Sequence, residues 1–362
     1  MKHLTILSLI LLLATACSNI SPYKKYMEDG MKTSVNLRND TTGIWETAGW
    51  WNSANLLTAA IRYSEVTGND NLFPLIEDVY TKAKQYRSGT DSLGAPVYFN
   101  NFINDYYDDE AWWALAWIEA SKITKEKKYL TMAEVIFDDL TSGWSDACNG
   151  GIYWKKNPLH YKNSIANNLF SLTAIRLYNA TKNNKYLDWF EKNVSWYMQT
   201  GMINTDIYQI EDGTNKDCLP NRNQHYTYNQ GVAIAVLAEM YLHTKDKQYI
   251  DLAENIAMAT ITNQLVTEDG ILREMKPDID KSNDGVQFKG IFIRHLAFLY
   301  EATKNPRYKD FILKNAASII STDYDPESKS FSYYWYGPFA ELSAAANSSA
   351  LECIIEACNL TK

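Results

Sequence analysis

The sequence predicts an all-α protein, an (α/α)6 barrel of six inner and six outer helices, and three observations lead to this prediction. A polar turn recurs every 57 to 63 residues, around the threonines Thr67, Thr124, Thr181, Thr244 and Thr303. A run that is apolar on nearly all faces precedes each turn, and an amphipathic run follows it. Helices of the first kind are typically buried and those of the second kind face water, so each period is a helical hairpin.

The order of the elements follows from these hairpins. Five outer helices follow the turns, and we expect the stretch Pro22 to Val35 to supply the sixth. The chain therefore opens with an outer helix and closes with an inner one. The inner helices are predicted to start near Trp51, Asp109, Asn163, Asn229, Phe288 and Glu341.

Residues 1–16 are predicted to be a lipoprotein signal peptide that takes no part in the fold. Lys2 gives a basic start, and the apolar run Leu4 to Leu13 is too short for a mature transmembrane helix. The next residues resemble a bacterial lipobox that ends at Cys17, with Ala14 in place of the usual Leu. We expect lipidation at Cys17, a membrane-anchored lipoprotein on the periplasmic face or surface of a bacterial envelope, and a single barrel domain over residues 17–362.

The composition narrows the class of partner. The formal net charge of −8 argues against nucleic acid. The chain contains 11 Trp and 25 Tyr, whose flat rings suit stacking on sugars, although packing of the core uses the same rings. A CxxC pattern or a His-rich cluster does not occur, so neither a metal nor another cofactor is predicted, and we expect a monomer. Cys148 and Cys218 lie in loop-like stretches, and their pairing is left open.

The long connections run from each outer helix to the next inner helix and carry Gly, Asn, Tyr and Trp. All of them should lie at the end of the barrel where the inner helices begin. Long loops over a rigid scaffold are where binding and catalysis concentrate. The sequence therefore predicts a cleft at this end, formed by residues 37–49, 88–106, 143–162, 201–227 and 267–287.

One inner helix begins with three carboxylates, Asp108, Asp109 and Glu110, ahead of the apolar run Ala111 to Ile123. Acidic residues are common in first helical turns, where they accept hydrogen bonds from free N–H groups and favour the helix dipole, so capping is one interpretation. The other is glycosidic bond cleavage, which needs a proton donor and either a nucleophile or a base. Two carboxylates about 5–5.5 Å apart supply both, with retention of configuration.

The segment Tyr106 to Leu115 resembles the signature of glycoside hydrolase family 76, the endo-α-1,6-mannanases. Other stretches are similar to the family in the same order: Trp50 to Asn55, Gly150 to Trp154, Lys162 to Asn167, Tyr226 to Gly231 and Phe288 to Phe292. The resemblance implies an (α/α)6 catalytic domain and a retaining mechanism, with Asp108 as nucleophile and Asp109 as acid/base. The substrate it implies is α-mannan or a mannooligosaccharide.

Further residues at the predicted mouth are candidates for sugar binding, each with a structural alternative. The aromatic rings either stack on sugars or pack the loops. The amides either bond sugar hydroxyls or cap helices, and the lysine either bonds a sugar oxygen or pairs with an aspartate and lowers its pKa. The set is Trp51, Asn52, Tyr107, Trp154, Asn167, Tyr228, Asn229, Gln230 and Lys289.

Three functions remain open from the sequence. The first is a lipid-anchored, endo-acting α-1,6-mannanase that cleaves mannan through a covalent mannosyl-enzyme. The second is a transglycosidase of the same family, in which a sugar hydroxyl takes the place of water. The third is a non-catalytic glycan-binding lipoprotein, which has no need of a buried pair of carboxylates.

Overall fold

The computed structural model describes residues 21–90, 94–157 and 161–362. The predicted signal peptide and the predicted lipidation site Cys17 lie outside these residues. Within them the helices, in chain order, are α1 (Lys24–Asn36), α2 (Trp50–Thr67), α3 (Phe73–Ala83), α4 (Tyr107–Thr124), α5 (Lys127–Thr141), α6 (Ser164–Thr181), α7 (Asn184–Tyr197), α8 (Thr227–Thr244), α9 (Lys247–Thr262), α10 (Pro277–Asp280), α11 (Gly285–Thr303), α12 (Pro306–Ser318) and α13 (Ala344–Leu360).

Six of these helices form a closed inner ring. Helix α2 contacts α4, α4 contacts α6, α6 contacts α8, α8 contacts α11, α11 contacts α13, and α13 returns to α2. The helices α1, α3, α5, α7, α9 and α12 alternate with them along the chain, and α5, α7 and α9 pack on the inner helices that precede them. The predicted (α/α)6 barrel, with an outer helix first and an inner helix last, is confirmed.

The last inner helix begins three residues later than predicted, at Ala344 instead of near Glu341. The side chain of Ser343 accepts a hydrogen bond from the backbone N–H of Ala346. A serine in this position satisfies one of the free N–H groups of the first turn and so determines where the helix starts. The apolar periodicity alone does not reveal such a cap.

The recurring threonine turn has the same hydrogen bonds around Thr124, Thr181, Thr244 and Thr303, whereas at the first turn the N–H of Asn69 donates to Ser64 O. The hydroxyl of Thr124 donates to Ala120 O (2.8 Å) and accepts from the N–H of Glu126 (3.2 Å). The residue after the threonine ends the helix in the left-handed region, with φ between 57° and 68°, at Gly68, Lys125, Lys182, Lys245 and Lys304. Such an end reverses the chain within a few residues, which explains why a short polar turn suffices for each hairpin.

Three small antiparallel hairpins lie in the connections from outer to inner helices, and the sequence analysis did not predict them. They are β1 (Gln85–Thr90) with β2 (Pro96–Asn100), β3 (Ile203–Asn204) with β4 (Gln209–Ile210), and β5 (Tyr324–Asp325) with β6 (Ser330–Phe331). In register, Gln85 pairs with Asn100, Ile203 with Ile210 and Tyr324 with Phe331. All three lie at the end of the barrel where the inner helices begin.

An aromatic cluster fixes the position of α4 in the ring. Trp113 and Trp117 of this helix are fully buried, and their ring centres are 5.9 Å apart. The rings of Trp50 and Phe102 lie 5.1 Å and 4.9 Å from Trp113. Each buried ring of this size stabilises the fold by about 1.5–3 kcal/mol, so the N-terminus of α4 rests on a rigid base. Within the described ranges, no helix has the length and apolarity that crossing a membrane requires.

Candidate active site

Asp108 and Asp109 lie in the first turn of α4, at the mouth end of the ring. Tyr106 precedes this helix in an extended conformation, which turns the chain into the barrel. Both carboxylates line a cavity of about 560 Å³ and are partly open to it. The predicted position of the pair at the base of a cleft is therefore what the structure shows.

Each aspartate accepts a hydrogen bond from one neutral side chain. The indole Nε1 of Trp154 donates to Asp108 Oδ2 (3.0 Å), and the amide of Asn104 donates to Asp109 Oδ2 (2.7 Å). The second oxygen of Asp108 is buried and has no partner among the described residues. Burial raises the pKa of Asp108 well above its ordinary value, and the charge of Asp109 raises it further. Burial, with the charge of Asp284, raises the pKa of Asp109 to about 7.

These shifts mean that the pair retains a proton near neutral pH. Two neighbouring carboxylates in a desolvated site do not both ionise readily, because each charge opposes the other and both lack water. One acid and one carboxylate are the two forms that glycosidic cleavage requires.

The third carboxylate of the segment has a structural role. Glu110 is fully buried, and its Oε1 accepts from the N–H of Asn104 (3.1 Å) and from Lys156 Nζ (2.7 Å). Lys156 also pairs with Asp139 at 2.7 Å. Burial raises the pKa of Glu110, and Lys156 opposes that shift. Glu110 thus holds the segment that carries Asn104 and does not line either cavity.

Trp154 reaches Asp108 because its backbone is tied on both sides. Its carbonyl accepts from the N–H of Tyr107 (3.0 Å), and its own N–H donates to Tyr161 O (2.8 Å). Its ring also lies 5.0 Å from that of Tyr106. The start of α4 and the connection before α6 are therefore held together beside Asp108 and Asp109.

A buried lysine and a disulfide further stabilise the connection before α6. Lys162 donates to the carbonyls of Ser145, Ala147, Gly150 and Gly151, at 2.5 to 3.0 Å. Burial lowers the pKa of Lys162 to about 8. Cys148 and Cys218, whose pairing the sequence left open, form a disulfide with their Cα atoms 5.4 Å apart. This bond links the connection before α6 to the connection before α8.

The opposite wall of the cavity is aromatic and acidic. The rings of Tyr228 and Phe288 stack at 3.9 Å with an angle of 6°. Trp51 Nε1 donates to Asp284 Oδ1 (2.8 Å). Asp212 accepts from the hydroxyl of Tyr161 (2.6 Å) and from the amide of Asn229 (3.0 Å), and burial raises its pKa.

A second cavity of about 460 Å³ adjoins the first. Trp51, Tyr106, Asp109 and Asp284 line both cavities, whereas Asp108 lines only the larger one. The two cavities therefore form one cleft with Asp109 at their junction.

The structure brings part of the predicted binding set to this cleft. Trp51, Trp154 and Tyr228 line the larger cavity, and Asn52 lines the smaller one. The amide of Asn52 is, however, engaged with Gln287 Oε1 (2.8 Å). Asn229 does not line either cavity and acts through its hydrogen bond to Asp212.

For four predicted sugar-binding residues the structure requires a correction, because they are buried outside both cavities. Tyr107 pairs its hydroxyl with Ser142 Oγ at 3.2 Å. Asn167 and Gln230 each bond both the N–H and the carbonyl of one loop residue, Ile152 and Ile210 respectively, at 2.8 to 3.0 Å. Lys289 pairs with Asp280 and donates to Tyr333 O (3.0 Å). Their polar groups thus hold loop backbone or neighbouring side chains, because these side chains face the loops and not the barrel axis.

Several cleft residues were missed by the sequence analysis. Asp284 immediately precedes α11, much as Asp108 and Asp109 open α4, and that parallel is the signal that identifies it. Asp212 and Tyr161 lie in long connections with no repeating context, and Tyr226 and Trp112 resemble ordinary packing residues. The described residues contain no cluster of His, Cys, Asp and Glu arranged to hold a metal ion.

Residues 18–361 match the family model described as glycosyl hydrolase family 76. The chain is 27% identical to mannan endo-1,6-alpha-mannosidase DCW1 of Candida albicans, over 68% of this chain and 57% of that relative. It therefore spans a little over half the length of this relative.

The fold is similar to that of the GH76A alpha-1,6-mannanase from Salegentibacter sp. HEL1_6, with a TM-score of 0.82 and 22% identity over 93% of this chain and 99% of that one. An inactive variant of that mannanase, in which two consecutive aspartates are replaced by alanine, was solved in complex with α-1,6-mannotetrose. It matches with a TM-score of 0.82 and 20% identity over the same shares. The family model covers nearly the whole sequence, and the chain belongs to glycosyl hydrolase family 76.

Proposed function

We propose that this protein is an endo-acting glycoside hydrolase that cleaves α-1,6-mannosidic bonds with retention of configuration, through a covalent mannosyl-enzyme. The observation that carries the proposal is the pair Asp108 and Asp109, adjacent at the base of a cleft, with both pKa values raised. The substrate class rests on the Candida albicans relative and on the α-1,6-mannotetrose complex of the Salegentibacter variant.

The two aspartates take different roles in this mechanism. Asp108 attacks the anomeric carbon, and Asp109 donates its proton to the departing oxygen, then removes a proton from water in the second step. Trp154 orients the attacking oxygen of Asp108, and Asn104 holds Asp109. The position of Asp109 at the junction of the two cavities supports this division, because the bond to be cleaved must span that junction.

Endo action is supported by the shape of the cleft. Asp109 lines both cavities, and together they offer a mannan chain more room than a single sugar needs beside the catalytic pair. An enzyme that removes terminal sugars needs only one open side.

The test uses linear α-1,6-mannotetrose and aryl α-mannosides with the variants Asp108→Ala and Asp109→Ala. Loss of the nucleophile should abolish turnover of every substrate. Loss of the acid should cost about 10²–10⁴-fold with the oligosaccharide and much less in the first step with a good aryl leaving group. Added azide should give a product of retained configuration with Asp109→Ala and of inverted configuration with Asp108→Ala. Full activity in either variant would remove the pair from the mechanism.

The pH dependence of the wild-type enzyme provides a second check. Catalysis needs a single proton on the pair, held by Asp109 while Asp108 is ionised, so kcat/KM should fall as the pH rises through the upper of the two pKa values of the pair. In Asp109→Ala this basic limb should disappear for an aryl mannoside. The products also separate hydrolysis from the alternative of transglycosylation, because transfer gives chains longer than the substrate supplied.

A non-catalytic glycan-binding role is less well supported. A binding protein gains nothing from two desolvated carboxylates whose ionisation the site opposes. Folded protein that binds α-1,6-mannotetrose with no turnover at any pH would establish that role instead.

We also propose that Cys17 is lipidated and anchors a monomer to a bacterial envelope. The Cys148–Cys218 disulfide supports an oxidising compartment such as the periplasm or the cell surface. Labelling with a fatty-acid analogue should be lost in Cys17→Ala. Protease treatment of intact cells separates surface exposure, where the protein is lost, from a periplasmic face, where it survives. Size-exclusion chromatography of the protein without residues 1–17 tests the monomer.

A further inference from the structure

The cleft is acidic along its whole length. Six carboxylates line one or both of its cavities, from Glu46, Asp105, Asp108, Asp109, Asp212 and Asp284. The described residues that line the two cavities include no lysine, arginine or histidine. A lysine does lie close by, because the ammonium of Lys155 is 5.6 Å from the ring centre of Trp154, but Lys155 does not line the cavities. No positively charged side chain among the described lining residues therefore offsets the negative charge of the cleft.

Neutral groups satisfy the cleft carboxylates, which leaves the negative charges uncancelled. The donors to Asp108, Asp109 and Asp284 are indole or amide N–H groups, and those to Asp212 are a phenol and an amide. Glu46, in the same way, accepts from the amide of Asn39. The pair Asp108 and Asp109 retains a proton near neutral pH, but a neutral donor does not cancel the charge of the cleft carboxylates that are ionised.

Several buried carboxylates elsewhere in the barrel have a cation beside them. Glu110 is paired with Lys156, Asp280 with Lys289, and Glu356 with Arg62. No described ion pair involves any of the six cleft carboxylates. Glu274 and Asp323 accept from Thr227 and Ser332 instead, so a cation accompanies many but not all buried acids outside the cleft, whereas none of the six cleft carboxylates has one in a described ion pair.

We propose that the cleft selects its substrate by charge, so that it accepts uncharged mannoside units and rejects units that carry a phosphate ester or a carboxylate. This inference rests on the proposed function and deepens it. Charges within a cleft with low-dielectric walls act over several ångströms, so an anionic substituent meets repulsion from several carboxylates at once. Neutral hydroxyls meet none, and they find acceptors in the same carboxylates.

The test compares three tetrasaccharides of the same size. They are linear α-1,6-mannotetrose, its derivative with the free terminal C6 oxidised to a carboxylate, and the primary amide of that derivative. The amide matches the carboxylate in shape and lacks its charge. For the wild-type protein we expect kcat/KM for the carboxylate to be at least about tenfold below that for the amide. The reason is that a carboxylate inside the cleft is repelled by the ionised carboxylates of the lining. The amide should be turned over within about threefold of the unmodified chain, because it differs from that chain only in one neutral group.

Two further measurements separate charge from shape. Raising the salt from about 0.1 M to about 1 M shortens the screening length from about 10 Å to about 3 Å, so the ratio of amide to carboxylate should shrink. Asp284→Asn, which retains an acceptor for Trp51, and the double variant Glu46→Gln with Asp105→Asn should also lower this ratio. Asp188→Asn is the matched control, because Asp188 is exposed on the outer helix α7 and its loss changes the net charge equally. The ratio should not change in this control.

Equal values of kcat/KM for the carboxylate, the amide and the unmodified chain would overturn the proposal. A carboxylate and an amide that are both turned over equally slowly relative to the unmodified chain would also overturn it, because size and not charge would then decide. If the protein does not cleave unmodified α-1,6-mannotetrose, the proposed function fails by itself. Calorimetric affinities of the three oligosaccharides then decide the charge selection separately, with weaker binding of the carboxylate alone as the expected result.

Discussion

Trp154 is the residue whose replacement tests the arrangement of the catalytic pair most directly. Its indole donates to Asp108 at 3.0 Å, and its backbone ties the start of α4 to the next connection. Trp154→Phe removes the N–H donor, while an aromatic ring and all the backbone contacts remain. The variant therefore separates the hydrogen bond from the packing.

The magnitude follows from the charge on the acceptor. A hydrogen bond to an ionised group contributes about 1.5–3 kcal/mol, and each 1.4 kcal/mol corresponds to about a tenfold change in rate. We therefore expect kcat/KM for α-1,6-mannotetrose to fall about ten- to hundredfold. The same donor holds the pKa of Asp108 down against burial, so its loss should move the acidic limb of the pH profile to higher pH by up to about 1–2 units.

The assay is the pH dependence of kcat/KM for wild type, Trp154→Phe and a control. Trp144→Phe is suitable, because Trp144 lies in the same connection and lines neither cavity. The control should retain the wild-type profile. An unchanged acidic limb in Trp154→Phe would refute the claim that the indole stabilises the ionised Asp108. A loss of rate without that shift would assign Trp154 to packing or sugar stacking.

The remaining predictions concern stability, measured by urea unfolding. Glu274 is buried, and its pKa is raised from 4.5 to about 8. Between these two values this side chain is ionised only in the unfolded chain. The free energy of unfolding should therefore fall as the pH rises through that window, by about 1.4 kcal/mol per pH unit. Glu274→Gln should make this slope shallower by about that amount, because other buried carboxylates such as Asp109 titrate in the same window, and an unchanged slope would show that Glu274 does not contribute to it. Cys148→Ser removes the disulfide to Cys218, which restricts the unfolded chain by closing a loop of 70 residues. The free energy of unfolding should fall by about 4 kcal/mol, and a fall below about 1 kcal/mol would contradict this reason. Gly151→Ala should lower the free energy of unfolding by more than about 2 kcal/mol, because Gly151 has φ +84° and a Cβ there would lie 2.3 Å from the Trp196 ring. Wild-type stability of this variant would show that the loop relaxes freely.

The helical hairpins were predictable because their signals are local. An apolar run, a Thr turn and an amphipathic run follow one another within a single period, and each determines its own helix and its end. The hydroxyl of Thr124 and the left-handed Lys125 show how little of the chain such an end requires. The small hairpins such as β1 and β2 were not predictable, because they occur inside connections where the neighbouring aromatic cluster supports them.

The candidate site was predictable only in part. Asp108 and Asp109 were identified because they interrupt an apolar inner helix at its start. The residues Asn167, Gln230 and Lys289 occupy comparable positions, and yet the structure turns them toward loop backbone or a buried carboxylate. Which way a polar side chain at a helix start points depends on the rotation of that helix in the ring, and no single segment carries that information.

The sequence by itself determined the number, order and alternation of the helices, the end of the barrel that holds the loops, and the carboxylate pair that opens α4. These depend on periodicity and on neighbours within a few residues. Only the tertiary structure decided that Asp212 and Asp284 join the pair, that Trp154 holds Asp108, and that Cys148 meets Cys218. These contacts join connections far apart in the chain, and closure of the ring of inner helices is what brings their ends to one cleft.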